Sequence, residues 1–180
     1  MIVPMMDADS HSAARLTSSK GWLLAALCMA YGSSAVADTA SGVMTVSATV
    51  ATTCVVGTST LAFGSASSAA IQAGNLDATG TVTVNCTTGS SYTIALAAGG
   101  GTGATLASRK MSAGTNLLNY SIYTSAARTT VWGDGTLASA TTPGTGSGTS
   151  QSVIAYGRIF AGQTVPAGAY TDTVTVTVTY

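Results

Sequence analysis

The sequence predicts an all-β domain, a two-sheet sandwich of Greek-key type, on three observations. Gly, Ala, Ser, Thr and Val dominate the composition and only 7% of residues are charged, which suits short strands with open turns and suits helices poorly. Short segments alternating apolar with polar residues recur along the chain, separated by Gly- or Ser-rich breaks. The length of 180 residues fits one domain with a leader.

The leader is residues 1–37. Arg15 and Lys20 precede the apolar stretch "GWLLAALCMAYGSSAVA", which closes on Ala35-Val36-Ala37, the layout of a secretory signal peptide cleaved before Asp38. The apolar part is short of the roughly 20 residues that a spanning helix needs, so no membrane span is expected in the mature form. Bulky Leu27 makes Cys28 a poor lipid-attachment site. Cleavage removes His11 and leaves a chain without His or Glu. Its charged side chains are Asp38, Asp77, Asp134, Asp172, Arg109, Lys110, Arg128 and Arg158, scattered along the sequence.

That inventory excludes several function classes. General acid–base or nucleophile–base catalysis needs titratable groups within hydrogen-bond reach of one another, so no enzyme and no cofactor is expected. Two thiols without His or neighbouring carboxylates cannot complete a tetrahedral metal shell. Zero net charge from six basic and six acidic residues gives no electrostatic footprint for nucleic acid. The remaining cysteines, Cys54 and Cys86, are an even pair in an exported chain and read as a disulfide.

Each segment has its own signal. In "GVMTVSATVATTC", Met44, Val46, Ala48 and Val50 fall on one face and Thr45, Ser47 and Thr49 on the other, the pattern of an amphipathic strand. "TGTVTVNC" and "SYTIALAA" alternate likewise, separated by "TTGS", a hairpin-sized break in which Gly89 can take a positive φ. "LLNYSIYTS" follows, then "TTVWGDG", where Gly133-Asp134-Gly135 marks a turn, then "SQSVIAYGRIFA". Low-complexity residues 139–152 read as a surface loop, because neither side alone has strands enough to close a core. "AAGGGTGATLA" reads as a flexible connection; its glycines lack the strand-before, helix-after setting of a phosphate-cradling loop. The most strand-like run is "AYTDTVTVTVTY", with Val174, Val176 and Val178 alternating with threonines. An uncovered strand of this kind templates pairing with other chains.

Four ordered blocks, the early "TTC", "TVTVNCTTGSSYTIAL", "LNYSIYTSAARTTVWGDGT" and "YGRIFAGQTVPAGAYTDTVTVTVTY", together resemble the spore coat protein U family, which includes the pilin subunits of archaic chaperone-usher pili. The likeness runs from about Gly42 to Tyr180; Phe160 stands where relatives often carry Pro. The resemblance implies an incomplete immunoglobulin-like Greek-key sandwich lacking its last strand, completed by donor-strand addition. A periplasmic chaperone would lend that strand first; at the outer-membrane usher, the N-terminal extension of a neighbouring copy or related pilin would replace it. Residues 38–53 would be the donor segment, with Met44, Val46, Ala48 and Val50 as its apolar face. Residues 54–180 would be the sandwich, with Val174, Val176, Val178 and Tyr180 on the acceptor edge. Burying Met44 and the two donor valines would release about 5 to 9 kcal/mol gross.

Plainer readings stand beside these. The segment after the leader is equally patterned as the first internal strand of a complete sandwich, and the C-terminal strand as an internal one. Tyr92, Tyr120, Tyr123, Trp132 and Tyr156 suit a core or sheet face better than a sugar platform, and Arg128 and Arg158 suit the surface or turns. The functions implied are, in order, a pilus subunit serving adhesion and biofilm formation, a coat constituent exported by the same machinery, and a monomeric carbohydrate-binding module.

Overall fold

The computed structural model describes residues 36–57 and 59–180; the segment expected to be a leader lies outside them up to residue 35, with His11 and Cys28. Residues Ser47–Tyr180 form one compact unit. Its elements are β1 (Cys54–Val56), β2 (Thr60–Leu61), α1 (Ser68–Ala73), β3 (Leu76–Cys86), β4 (Ser91–Leu96), β5 (Arg109–Ala113), β6 (Asn116–Tyr123), β7 (Thr142–Thr145), β8 (Gln151–Ile159) and β9 (Val176–Thr179). They build a two-sheet sandwich. Sheet A runs β1-β3-β8-β6-β5, with β2 also on β3, and sheet B runs β7-β4-β9.

β3 is the spine of sheet A. Its alternation turns Val82, Val84 and Cys86 inward to full burial and leaves Thr79, Thr81 and Asn85 outside, the period-two pattern that its sequence carries. It pairs with β8 over nine positions, from Leu76↔Ile159 to Val84↔Gln151. A tight turn containing Gly89 at φ 80° carries the chain from β3 into β4 on the other sheet. Val84, Ile94, Leu96, Ile122 and Trp132 form the core where the sheets meet. The disulfide Cys54–Cys86 has an S–S distance of 2.02 Å. It closes a loop of sequence separation 32, which in the chain-entropy account removes about 3.7 kcal/mol of unfolded-state freedom.

Five predicted strands are present, as β3, β4, β6, β8 and β9. Elsewhere the architecture differs from the sequence reading. Residues 36–53 belong to no strand and are exposed throughout; their alternation is real, but strand structure requires a hydrogen-bonded neighbour. The "TTVWGDG" segment makes only isolated bridges, Tyr123↔Val131 and Trp132↔Ala140, because it dives inward to bury Trp132 completely. The low-complexity loop contains β7, whose Thr142–Thr145 pair with β4. β5 came without warning, since "RKMSA" carries two cations. The single helix among the described residues, α1, is a six-residue turn capped by Ser67; its Oγ accepts the Ala70 N–H at 3.1 Å.

On the outer face of sheet A, Asp77 takes a bidentate pair from Arg158, at 2.7 and 2.9 Å, and lies 3.2 Å from Arg128. Arg128 also sits 5.8 Å over the Tyr156 ring. The hydrogen bond from Arg158, with the charge of Arg128 beside it, lowers the Asp77 pKa below the ordinary carboxylate value. A carboxylate with a depressed folded pKa stabilises above its unfolded pKa, near 3.9, and loses that contribution as pH falls through the folded value. Because Asp77 is 38% exposed, the expected effect is under about 1 kcal/mol. Asp77→Asn should therefore flatten the acid limb of a Tm-against-pH curve below about pH 4 and shift Tm little at pH 7.

Candidate functional site

The sandwich has four sheet edges, and they are not alike. β7, one edge of sheet B, carries Pro143, which cannot donate to a further strand. β5, one edge of sheet A, is already bridged by Thr171: the Ser112 N–H donates to the Thr171 carbonyl at 2.8 Å, and the Thr171 N–H returns a bond at 3.1 Å. The other two edges, β9 in sheet B and β1–β2 in sheet A, have no further strand paired to their outer side among the described residues. β9 pairs with β4 alone. Its remaining backbone donors and acceptors stand along an open edge.

A groove of about 1050 Å³ lies between β2 and the run leading into β9. Its floor is the core itself: Val82, Leu96, Leu118, Tyr120, Ile122 and Ile159, each with at most 5% of its surface exposed, line it. One wall is β2 with the following residues, notably Leu61 and Phe63; the other is residues 165–172 with Val174 and Val176. The walls stay apart because each is tied elsewhere. β2 lies close over β3 where Gly80 has no side chain, the space a Cβ would need being filled by Thr60 O and Leu61. Gly157 of β8 leaves room for Leu61 and Phe63, whose side chains would stand 2.8 Å from a Cβ there. Gly157→Val should push that wall outward and cost about 1 to 3 kcal/mol, read as a fall in Tm of the purified protein.

The opposite wall is anchored where the chain changes sheets. Thr171 bridges to β5 in sheet A, and five residues later β9 begins in sheet B. Asp172, between them, accepts from the Tyr120 hydroxyl at 2.7 Å, the Gly100 N–H at 2.8 Å and the Thr173 N–H at 2.8 Å. Burial, reinforced by the bond to Asp172, holds the Tyr120 phenol well above its ordinary pKa, so it stays protonated and donating. Gly99, at φ 90°, approaches so closely that any side chain would strike the Asp172 carboxylate. The glycine run read as a flexible connection thus holds the crossing point.

The four residues expected on the acceptor edge separate. Val174 and Val176 line the groove; Val178 packs on the core beyond it; Tyr180 is 58% exposed beside a shallower hollow with Tyr92 and Gly144. The expected donor residues Met44, Val46 and Val50 are 83 to 85% exposed, and Ala48 is exposed as well. Leu61, Phe63, Met111, Tyr120 and Asp172 were not anticipated as groove residues; the glycines interrupting strand patterns at 80 and 157 were the available signal of close backbone approach.

Chemically the groove is an apolar trough walled by unsatisfied backbone, a shape that takes an extended segment by strand pairing and side-chain burial. Asp172, the ionisable carboxylate on its wall, is spent on three structural bonds, and no group of three or more His, Cys, Asp or Glu converges among the described residues. Tyr92, Tyr120, Tyr123 and Trp132 are buried and Tyr156 lies under Arg128, so none of these aromatics offers an open face to a sugar.

The fold and groove define a class, a β-sandwich with one seam between its sheets left open. The chain belongs to the Spore Coat Protein U domain family, which matches residues 40–177. Among solved structures it is similar to the CsuC–CsuE chaperone–tip adhesion subunit pre-assembly complex from archaic chaperone-usher Csu pili of Acinetobacter baumannii, at 23% identity and a TM-score of 0.53. That likeness covers 73% of this chain and 40% of the other; it concerns the fold. None of the curated proteins matches.

Proposed function

We propose that this chain is an exported structural subunit of a chaperone-usher pilus, polymerising by strand donation into a surface fibre for adhesion and biofilm formation. The observation that carries the reading is the pair of open edges facing one apolar groove. A soluble protein that left this much core uncovered would aggregate, so an occupant from outside is needed. A periplasmic chaperone fills the groove first, and at the outer-membrane usher residues 38–53 of another copy take its place. Met44, Val46, Ala48 and Val50 supply the buried face, Val174 and Val176 receive them, and Thr45, Ser47 and Thr49 face outward. Because each subunit gives one strand and receives one, the contact is heterologous and grows as an open filament. Membership of the Spore Coat Protein U family and the likeness to a chaperone–subunit complex agree with this reading.

The test is donor exchange. Residues 38–180 are co-expressed with the chaperone of the same gene cluster, purified as a complex and challenged with a synthetic peptide of residues 40–53. The expected result is release of the chaperone and a one-to-one subunit–peptide species of defined mass. Its Tm should rise by about 10 °C or more, at a few degrees per kcal/mol of added stability. A subunit that is soluble and monomeric alone, melts cooperatively and ignores the peptide would overturn the proposal.

A further inference from the structure

The geometry points to the Cys54–Cys86 disulfide as the link that passes pulling force from one subunit to the next along the filament, an inference that rests on the strand-donation reading above. Cys54 is the first strand residue after the donor segment, and β1, which it opens, is only three residues long. Tension on residues 38–53 therefore enters the domain at Cys54. Without the disulfide it would be held by the short β1–β3 ladder, Cys54↔Cys86 to Val56↔Val84, and the neighbouring Thr87 N–H to Thr53 carbonyl bond of 2.9 Å. β2 beyond it adds two residues, Thr60 and Leu61. So short a ladder slides or peels before a long one breaks, and resistance to forced opening is a rate property set by the first barrier met.

The disulfide bypasses that ladder. Cys86 ends β3, which is locked to β8 over nine pairs, and the turn after it leads directly into β4, the strand that holds β9 through Thr93↔Thr179 to Leu96↔Val176. β9 is the wall that would grip the preceding subunit's donor. The covalent step from Cys54 to Cys86 therefore joins the outgoing strand to the hairpin that spans both sheets and, one ladder further, to the incoming strand. β1 and β2 are left outside the force path. Cys86 is 1% exposed and Cys54 is half-buried.

Single-filament pulling tests this. Oxidised wild-type filaments are compared with Cys54→Ser/Cys86→Ser filaments and, should that variant fail to assemble, with wild-type filaments reduced after assembly under load. Without the disulfide the β1 ladder should give way at low force, seen as an early extension step before the domain unfolds; oxidised filaments should show no such step. A second geometry separates force transmission from ordinary stabilisation. In the subunit–peptide complex pulled between handles at Ser147 and Tyr180, a path that avoids β1, loss of the disulfide should change the unfolding force little. Equal weakening in both directions, or no early step in the reduced filament, would overturn the inference while leaving strand donation intact. Failure to form any filament from wild-type subunits would instead remove the functional reading and this with it.

Discussion

Val46→Asp combined with Val50→Asp is expected to stop fibre growth while leaving the yield of the subunit–chaperone complex unchanged. Both valines are more than four-fifths exposed in the chain itself, so their replacement costs the subunit's own fold almost nothing. In a neighbour's groove the same positions would face a floor of Leu118, Tyr120 and Ile122. Each substitution forfeits about 1.5 to 3 kcal/mol of burial and adds a desolvation penalty of several kcal/mol for a carboxylate without a partner. Together these exceed the gross gain available to the donor segment. The check is a polymer ladder on unheated gels with electron microscopy of the cell surface; fibres from the double variant would show that these residues are not the donor face.

Arg109→Ala should abolish recovery of folded subunit, through an interaction that has no counterpart in the sequence reading. Arg109 is completely buried and meets no carboxylate. Its guanidinium donates instead to backbone carbonyls: Nε to Ala97 at 2.9 Å, one terminal nitrogen to Leu106 at 2.9 Å, and the other to Trp132 at 2.7 Å and Leu96 at 3.5 Å. Desolvation lowers its pKa, but an arginine stays charged even so. These bonds collect the end of β4, the loop before β5 and the Trp132 segment onto one side chain. Removing it takes the donor from these carbonyls, most of them buried, at about 1 to 3 kcal/mol each, against a typical total stability of about 5 to 15 kcal/mol. Arg109→Lys should rescue only in part, because an ammonium lacks the planar fork that spans several acceptors. Co-purification yield with the chaperone and the Tm of the purified complex report both effects.

Much of the sandwich was legible because its long strands bury one face each. Val82, Val84 and Cys86 on β3, and Ile94 and Leu96 on β4, announce themselves by period two. What escaped was structure that carries no apolar alternation of its own. β7 hides in a Thr-Pro-Gly-Thr run with no apolar alternation, because its task is to cover β4 and finish an edge. β5 opens on Arg109 and Lys110, charges that argue against burial until four carbonyls are found waiting for the first of them. The groove was half legible: Val174 and Val176 follow from the pattern of the last strand, whereas Leu61 and Phe63 are placed by glycines on strands elsewhere. Met44 to Val50 carry a strand's alternation without a strand's partner, and a pattern within one segment does not say which molecule completes it.

The proline in β7 and the Thr171 bridge on β5 set the valence of the molecule. With those two borders closed to further ribbons, the strand-donation reading gives a copy one vacancy for a β-segment and one segment to offer. Side-by-side fusion of sheets, the route by which β-rich chains clump or branch, would find no landing site on either closed border, so growth by strand donation would be confined to a single thread.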